Sequence, residues 1–498
     1  MERFSEIYQR LERISASEDR ILELTNSDSV PVVIIGGGIS GLSTAFWLDN
    51  FGIPVSLFEA DERVGGVIST TLKDGFLIEH GPSTLQGRTN ELLETIDAAG
   101  LKDEVLYAND IQKYRYILKE GKPIPIPLSP VSFATTNLFS LSAKLRLLGE
   151  PFIKPSGKTD ESVADFVIRR LGKEILDYAV APFVGGIYAG DPEKISLRST
   201  FPRLHALETE YGSVIGGMVK KMFDKSKSKS KSSRPKLFSF KNGLETLPEK
   251  LAKILGDKAE TKSEVKNILP PNESGSCYKV TVENGGTTKI IKADSVVVTT
   301  PSFQTAKLIE LFSSDAVNDL RTIEYTPMAV VALGYKRKDI EHPLNGFGML
   351  SPPCEPHKFL GSLWTSSIFN GRAPDGSVLL TNFIGGSRHP ELTELEPEKL
   401  AELVHSSLEK LLGIRAKPIL NEVYIQKKAI PQYTIGYHEK MKSLEEVERK
   451  YPGLYITGAF RGGVSVEDCI ANGKATAVKI SENFSKQNNV PLREVIDV

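Results

Sequence analysis

Paired cysteines are missing from this sequence. Its three, Cys277, Cys354 and Cys469, stand too far apart for a CxxC redox pair or a zinc ribbon, and are too few for a disulfide framework in 498 residues. A reducing compartment is the default expectation. Excess charge is missing as well: 62 lysines and arginines against 63 aspartates and glutamates leave a net −1, which disfavours a nucleic-acid partner held by global electrostatics. No stretch approaches the roughly 18 uninterrupted apolar residues of a spanning helix, and no signal peptide is expected at the start. The seven histidines, His80, His205, His342, His357, His389, His405 and His438, show neither metal-ligand spacing nor triad order, so no metal site is expected and structural roles are. What remains is an ordinary globular composition, 40% hydrophobic and 25% charged, with length for about two or three domains.

Residues 1–29 place Phe4, Ile7, Tyr8, Leu11 and Ile14 at helical spacing and read as an amphipathic appendage. Its carboxylates, Glu2, Glu6, Glu12, Glu18 and Asp19, argue against a transit peptide. A strand over 32–35, a glycine cluster, a helix through Leu48 and a strand over 55–58 form a βαβ start. Residues from about 100 to 215 read as mostly helical, with a proline-rich connection (Pro123, Pro125, Pro127, Pro130) and an apolar tract over 131–153. The Ser/Lys tract over 225–235 reads as a solvated surface loop, since no aromatic residue is interleaved. Strand patterns return at 278–282, 295–299 and 454–457, before a closing helix over 468–480.

Gly36-Gly37-Gly38-Ile39-Ser40-Gly41 fits GxGxxG between a strand and a helix. Gly36 permits the tight turn, Gly38 lets backbone amides approach a pyrophosphate at the positive helix end, and Gly41 lets helix and strand close up. Glu59, 21 residues beyond Gly38, ends the second strand, where a carboxylate accepts both hydroxyls of an adenosine ribose and repels a 2′-phosphate. The pair favours FAD or NAD over NADP. There is no second strand–GxGxxG–helix unit and no CxxC, so a pyridine-nucleotide–disulfide reductase is disfavoured and an oxidase using dioxygen or a diffusible acceptor is expected.

Glu59-Ala60-Asp61-Glu62-Arg63-Val64-Gly65-Gly66 resembles the ExxxRxGG continuation of flavoproteins in the amine oxidase and protoporphyrinogen oxidase superfamily, and points to FAD. Gly185-Gly186-Ile187-Tyr188-Ala189-Gly190-Asp191-Pro192, Pro431-Gln432-Tyr433-Thr434-Ile435-Gly436-Tyr437-His438, and the run from Thr457 through Ala459-Phe460-Arg461-Gly462-Gly463 to Ile470 resemble segments of the protoporphyrinogen oxidases, in the family's order.

The resemblance implies an α/β protein, α+β overall: a Rossmann-like FAD domain of the p-hydroxybenzoate hydroxylase type, a mixed-sheet substrate domain and a helical, membrane-associating domain. On that pattern residues 30–100, 236–300 and 420–498 form the discontinuous FAD domain, 101–224 the helical domain and 301–419 the substrate domain. It assigns non-covalent FAD, one per chain, to Gly36, Gly37, Gly38, Ile39, Ser40, Gly41, Glu59, Ala60, Arg63, Gly65, Gly66, Val67, the Gly81-Pro82-Ser83-Thr84 turn, Val265, Ala459, Val464, Ser465 and Val466. It assigns substrate contact to Arg115, against a propionate, and to Gly186, Phe347, Leu350 and Phe383 around the macrocycle. The implied reaction is oxidation of protoporphyrinogen IX in three two-electron cycles, with no side-chain acid or base; Asp165 and Asp468 read as helix-terminus residues. A porphyrinogen is a large apolar ring with anionic propionates at one edge, so an apolar pocket with a guanidinium anchor suits it. The implied partners are a membrane surface, a ferrochelatase or a second copy of the chain, and the implied location is cytoplasmic or peripheral on the inner face of the cell membrane. Three alternatives stay open: coproporphyrinogen III as substrate, a flavin amine oxidase, and a non-catalytic flavin-binding assembly protein.

Overall fold

The computed structural model describes residues 29–227, 236–271 and 277–488. The appendage expected over 1–29 lies outside the described residues except for Ser29, as does most of the Ser/Lys tract; its first three residues end the helix Val214–Lys227 and do not begin a loop.

Two seven-stranded sheets organise the chain. In the first, strand β1 (Ser29–Ile35) lies at the centre, parallel to Thr287–Val298 on one side and to β2 (Val55–Phe58) on the other. Residues 32–35 are all apolar and at most 3% exposed, as a strand covered on both faces requires. On one face lie helix α1 (Ile39–Asn50) and helices Thr246–Leu255 and Val466–Asn488, packing Leu42, Phe46, Leu251 and Ile470 together. On the other lie Ser302–Leu308, Ser314–Arg321 and Tyr437–Lys450.

The second sheet is mixed, in the order Leu420–Pro431, Tyr325–Lys336, Ser377–Gly385, Phe359–Leu363, Gly348–Leu350, Tyr116–Lys119, Lys122–Pro125. Helix Pro397–Leu412 covers one face with Leu400, Val404, Leu408 and Leu411. The sheet corrects two expectations. The stretch from 100 to 215 is not helical throughout: residues 116–125 form a hairpin, in which Pro123 and Pro125 sit on the edge strand, where a missing N–H breaks no ladder. The strand Leu420–Pro431 pairs with Tyr325–Lys336, so a boundary at 420 cuts a strand away from its own sheet.

The helices between Pro130 and Lys227 pack around Val163, Phe166, Val167 and Val184. Among them Arg170, fully buried, meets Glu150 at 3.0 Å and Glu208 at 2.5 Å. No helix among the described residues is long and apolar enough to cross a membrane.

Candidate active site

The turn after β1 is built where side chains cannot fit. Gly36 has φ +105°, and a Cβ there would lie 2.9 Å from Thr299 Oγ1, whose hydroxyl donates to the carbonyls of Ile35 and Gly36 at 2.9 and 3.0 Å. A Cβ on Gly41 would lie 1.9 Å from the Gly36 carbonyl oxygen. A Cβ on Gly38 would meet nothing within 4 Å, so the space beyond it is open. Helix α1 starts from Gly38 with no side-chain cap and no acidic residue in its first turn, although Ile39, Ser40 and Gly41 are buried. A buried, uncapped helix start facing open space suits a pyrophosphate.

Beside it, Glu59 Oε2 accepts from the Gly37 amide at 2.6 Å and Oε1 from the Asp61 amide at 2.9 Å. Each oxygen keeps a lone pair for a ribose hydroxyl. Ala60 is exposed next to it. Arg63 braces the following turn, donating to the carbonyls of Val64, Ile68 and Gly66, with Glu245 at 3.5 Å. Gly65 donates to the Gly37 carbonyl at 2.8 Å, a Cβ on Gly66 would come within 3.5 Å of Gly38 Cα, and Val67 is 53% exposed. The half-buried turn 81–84 abuts this loop, since a Cβ on Gly81 would lie 2.6 Å from the Val67 carbonyl oxygen.

The C-terminal turn closes the arrangement. Tyr433 donates to the Ala459 carbonyl at 2.7 Å and accepts from the Gly463 amide at 3.0 Å. Val464 and Val466 pack on opposite sides of the first sheet, and Ser465 caps the last helix by accepting from the Asp468 amide at 3.1 Å. Glu467 accepts from the amides of Gln86, Gly87 and Arg88. Residues 36–41, 59–67, 81–88 and 459–467 are thereby joined. Val265 stands further off: it is buried as the third residue of the strand Ser263–Leu269, not at its end, and its connection is the Ser263 amide on the Glu59 carbonyl at 2.8 Å. The donors and open space fit FAD; two-electron oxidation is the chemistry FAD supplies when bound.

The second sheet carries residues expected to meet the substrate on its other face. Leu350 lies across from Gly361, and Gly361 across from Phe383, so the two side chains flank a position with none. A Cβ on Gly186 would lie 3.0 Å from Leu350 Cδ2, which places the helix Ala181–Tyr188 over this row. Ile117 pairs with Leu350, and Arg115, two residues earlier, continues the same edge, its carbonyl accepting from the Ile126 amide at 2.8 Å. The Arg115 guanidinium stands 4.9 Å from the Phe347 ring centroid, pairs with no carboxylate among the described residues, and has its pKa lowered by desolvation. Phe347 itself packs with Leu237, Ile368 and Phe369, a different cluster from the one Leu350 joins. Gly361 escaped the sequence reading: a glycine in mid-strand gives no signal until its neighbours are known.

No cluster of three metal-ligating side chains occurs among the described residues. His80, beside the 81–84 turn, shares a hydrogen bond with Ser69 Oγ at 3.1 Å, stacks on Tyr424 at 3.5 Å, and is pulled below the ordinary histidine pKa by burial.

The sequence pattern of the flavin containing amine oxidoreductases matches residues 39–481. The chain belongs to that family. Within it, the chain is 33% identical over 487 residues to protoporphyrinogen oxidase 2, chloroplastic/mitochondrial, of Arabidopsis thaliana, covering 92% of this chain and 95% of that one. It is also 33% identical over 460 residues to coproporphyrinogen III oxidase of Bacillus subtilis (strain 168), covering 89% and 96%. Among crystal structures, one of a candidate protoporphyrinogen oxidase from Exiguobacterium sp. 255-15 superposes with a TM-score of 0.76 at 25% identity, over 92% of this chain and all of that one. The fold is thus shared with that structure, and the two relatives named are oxidases of two different porphyrinogens.

Proposed function

We propose that the chain oxidises protoporphyrinogen IX to protoporphyrin IX at FAD, with dioxygen as acceptor, in three two-electron cycles. The observation that carries this reading is the apolar row of Leu350, Gly361 and Phe383 under Gly186, with the guanidinium of Arg115, which pairs with no carboxylate among the described residues, along its edge. Leu350 leans over Gly361, its Cδ2 2.8 Å from where a Cβ would stand, so a ring enters as that side chain turns aside, and the guanidinium meets a propionate. No side-chain base is required of the protein, which orients the ring and keeps water from it. A second reading, coproporphyrinogen III with four propionates, draws on the equal identity to the Bacillus subtilis relative. Porphyrin fluorescence after adding each porphyrinogen separately to the flavin-loaded chain decides between them. A faster gain with protoporphyrinogen is expected, a faster gain with coproporphyrinogen reverses the choice, and no gain over autoxidation from either overturns both.

We also propose peripheral membrane contact through the tract over 131–153 and its approach. Leu128, Val131, Leu141, Leu145, Leu148 and Phe152 are exposed, Phe152 to 87%, while Leu138 and Phe139 face the core. Flotation with liposomes is expected for the intact chain and to be lost in the Leu148→Ser, Phe152→Ser double variant; absence of flotation in both removes the proposal.

A further inference from the structure

Arg388 follows the strand Ser377–Gly385, which carries Phe383, after a turn in which Gly385 and Gly386 have φ +104° and +69°. Its half-buried guanidinium donates to three carbonyls: Ser351 at 2.8 Å, His357 at 3.0 Å and Glu355 at 3.2 Å. All three lie in the loop that leaves Leu350 and returns as the strand Phe359–Leu363. No carboxylate pairs with Arg388 among the described residues, so the charge is held by a fan of neutral acceptors that suits a planar guanidinium and not an ammonium.

The same loop holds the far end of the hairpin whose first strand begins right after Arg115. Glu355, 8% exposed, accepts from the Glu120 amide at 2.8 Å on Oε1 and from the Gly121 amide at 3.2 Å on Oε2. These are the central residues of the two-residue turn between Tyr116–Lys119 and Lys122–Pro125, with φ +54° and +70°, the type I′ sign pattern. On its other side the 385–388 turn meets the Gly186 helix, whose C-cap residue Ala189 accepts from the Ser387 amide at 2.7 Å.

We propose that Arg388, acting through the 351–357 loop and Glu355, is the positioning residue that sets the spacing between the Arg115 guanidinium and the Leu350–Phe383 row. The inference rests on the porphyrinogen reading for its kinetic consequence, though not for its structural one. Loosening this clamp leaves flavin and the ring-facing side chains in place and spoils simultaneous engagement of the propionate and the ring. It therefore acts on KM more than on kcat.

The test uses Arg388→Met and Arg388→Lys in the FAD-loaded full chain, with amide hydrogen exchange over residues 116–125 and steady-state kinetics as readouts. Expected are exchange at least about tenfold faster over 116–125, and KM raised about tenfold with kcat within about twofold, in both variants. In an Arg115→Ala background the same changes should add little to KM, because the group being positioned is gone. Unchanged exchange over 116–125 in a flavin-retaining variant overturns the proposal, as does a KM increase that multiplies in full with that of Arg115→Ala. If the wild-type chain oxidises no porphyrinogen, the functional reading fails while the exchange readout still decides the positioning claim. Glu355→Gln carries the same readouts should the Arg388 variants not fold.

Discussion

Glu59 Oε2 accepts the Gly37 amide hydrogen at 2.6 Å and so joins the end of β2 to the turn after β1. One carboxylate thereby shapes the glycine turn and keeps lone pairs with which to accept from a ribose hydroxyl. Glu59→Ala is expected to weaken FAD binding at least about tenfold, since a hydrogen bond to a charged group contributes roughly 1.5–3 kcal/mol. Titration of the apoprotein by flavin fluorescence checks this, and an unchanged Kd removes Glu59 from the ribose site.

Gly41 and Gly186 separate stability from turnover. A methyl group on Gly41 would sit 1.9 Å from a backbone oxygen, and only movement of helix α1 against β1 relieves that. Gly41→Ala is expected to lower unfolding stability by about 3 kcal/mol or more and to lose flavin. On Gly186 the methyl group would meet Leu350 Cδ2 at 3.0 Å, the end of a side chain that can turn aside. Gly186→Ala is expected to keep flavin and melting temperature while raising KM severalfold. A fall in melting temperature of equal size in both variants would contradict the distinction.

The glycine motif was legible because its requirements are local: Gly36 needs a positive φ and Gly41 a close backbone approach, and both follow from a strand turning directly into a helix. The strands Val55–Phe58 and Leu454–Ile456 announced themselves as short, mostly apolar runs. The hairpin over 116–125 did not, because its prolines mask strand pattern and its partner Gly348–Leu350 comes much later in the chain. The substrate-side row was legible residue by residue from resemblance only; that Leu350 and Phe383 flank Gly361 depends on cross-strand register and on an irregularity between Phe359 and Gly361. Arg388 and Glu355 gave no signal, since their partners are backbone atoms, which carry no sequence signature.

Arg170 ties three helical segments together. Glu150, its partner, also accepts from the Val214 and Ile215 amides and from Ser213 Oγ, and so anchors the start of the helix Val214–Lys227. Arg170→Met leaves Glu150 buried without its counter-charge, while Glu208 keeps Arg169 at 2.7 Å. A loss of about 3–5 kcal/mol is expected in denaturant unfolding followed by helical circular dichroism. A change below about 1 kcal/mol would show that the network is replaceable.

Glu79, 2% exposed, ends the strand Phe76–Glu79 of a separate two-stranded sheet, accepting from Thr70 Oγ1 at 2.7 Å and from the Leu244 amide at 2.9 Å. Burial pushes its carboxyl up to about 7 in spite of those donors and of the nearby Arg372 charge. The folded state therefore holds this proton more tightly than the unfolded chain, which releases it in the usual carboxylate range. Its contribution to stability is complete below the unfolded pKa of about 4.3 and is lost as pH rises through about 7. The shift corresponds to something on the order of 3 kcal/mol across that window. Glu79→Gln retains an acceptor and cannot ionise, so its unfolding free energy should fall less than the wild type's between about pH 5 and pH 8. Parallel urea titrations across that range measure the difference, and identical slopes would mean that Glu79 is already ionised in the folded chain at pH 5.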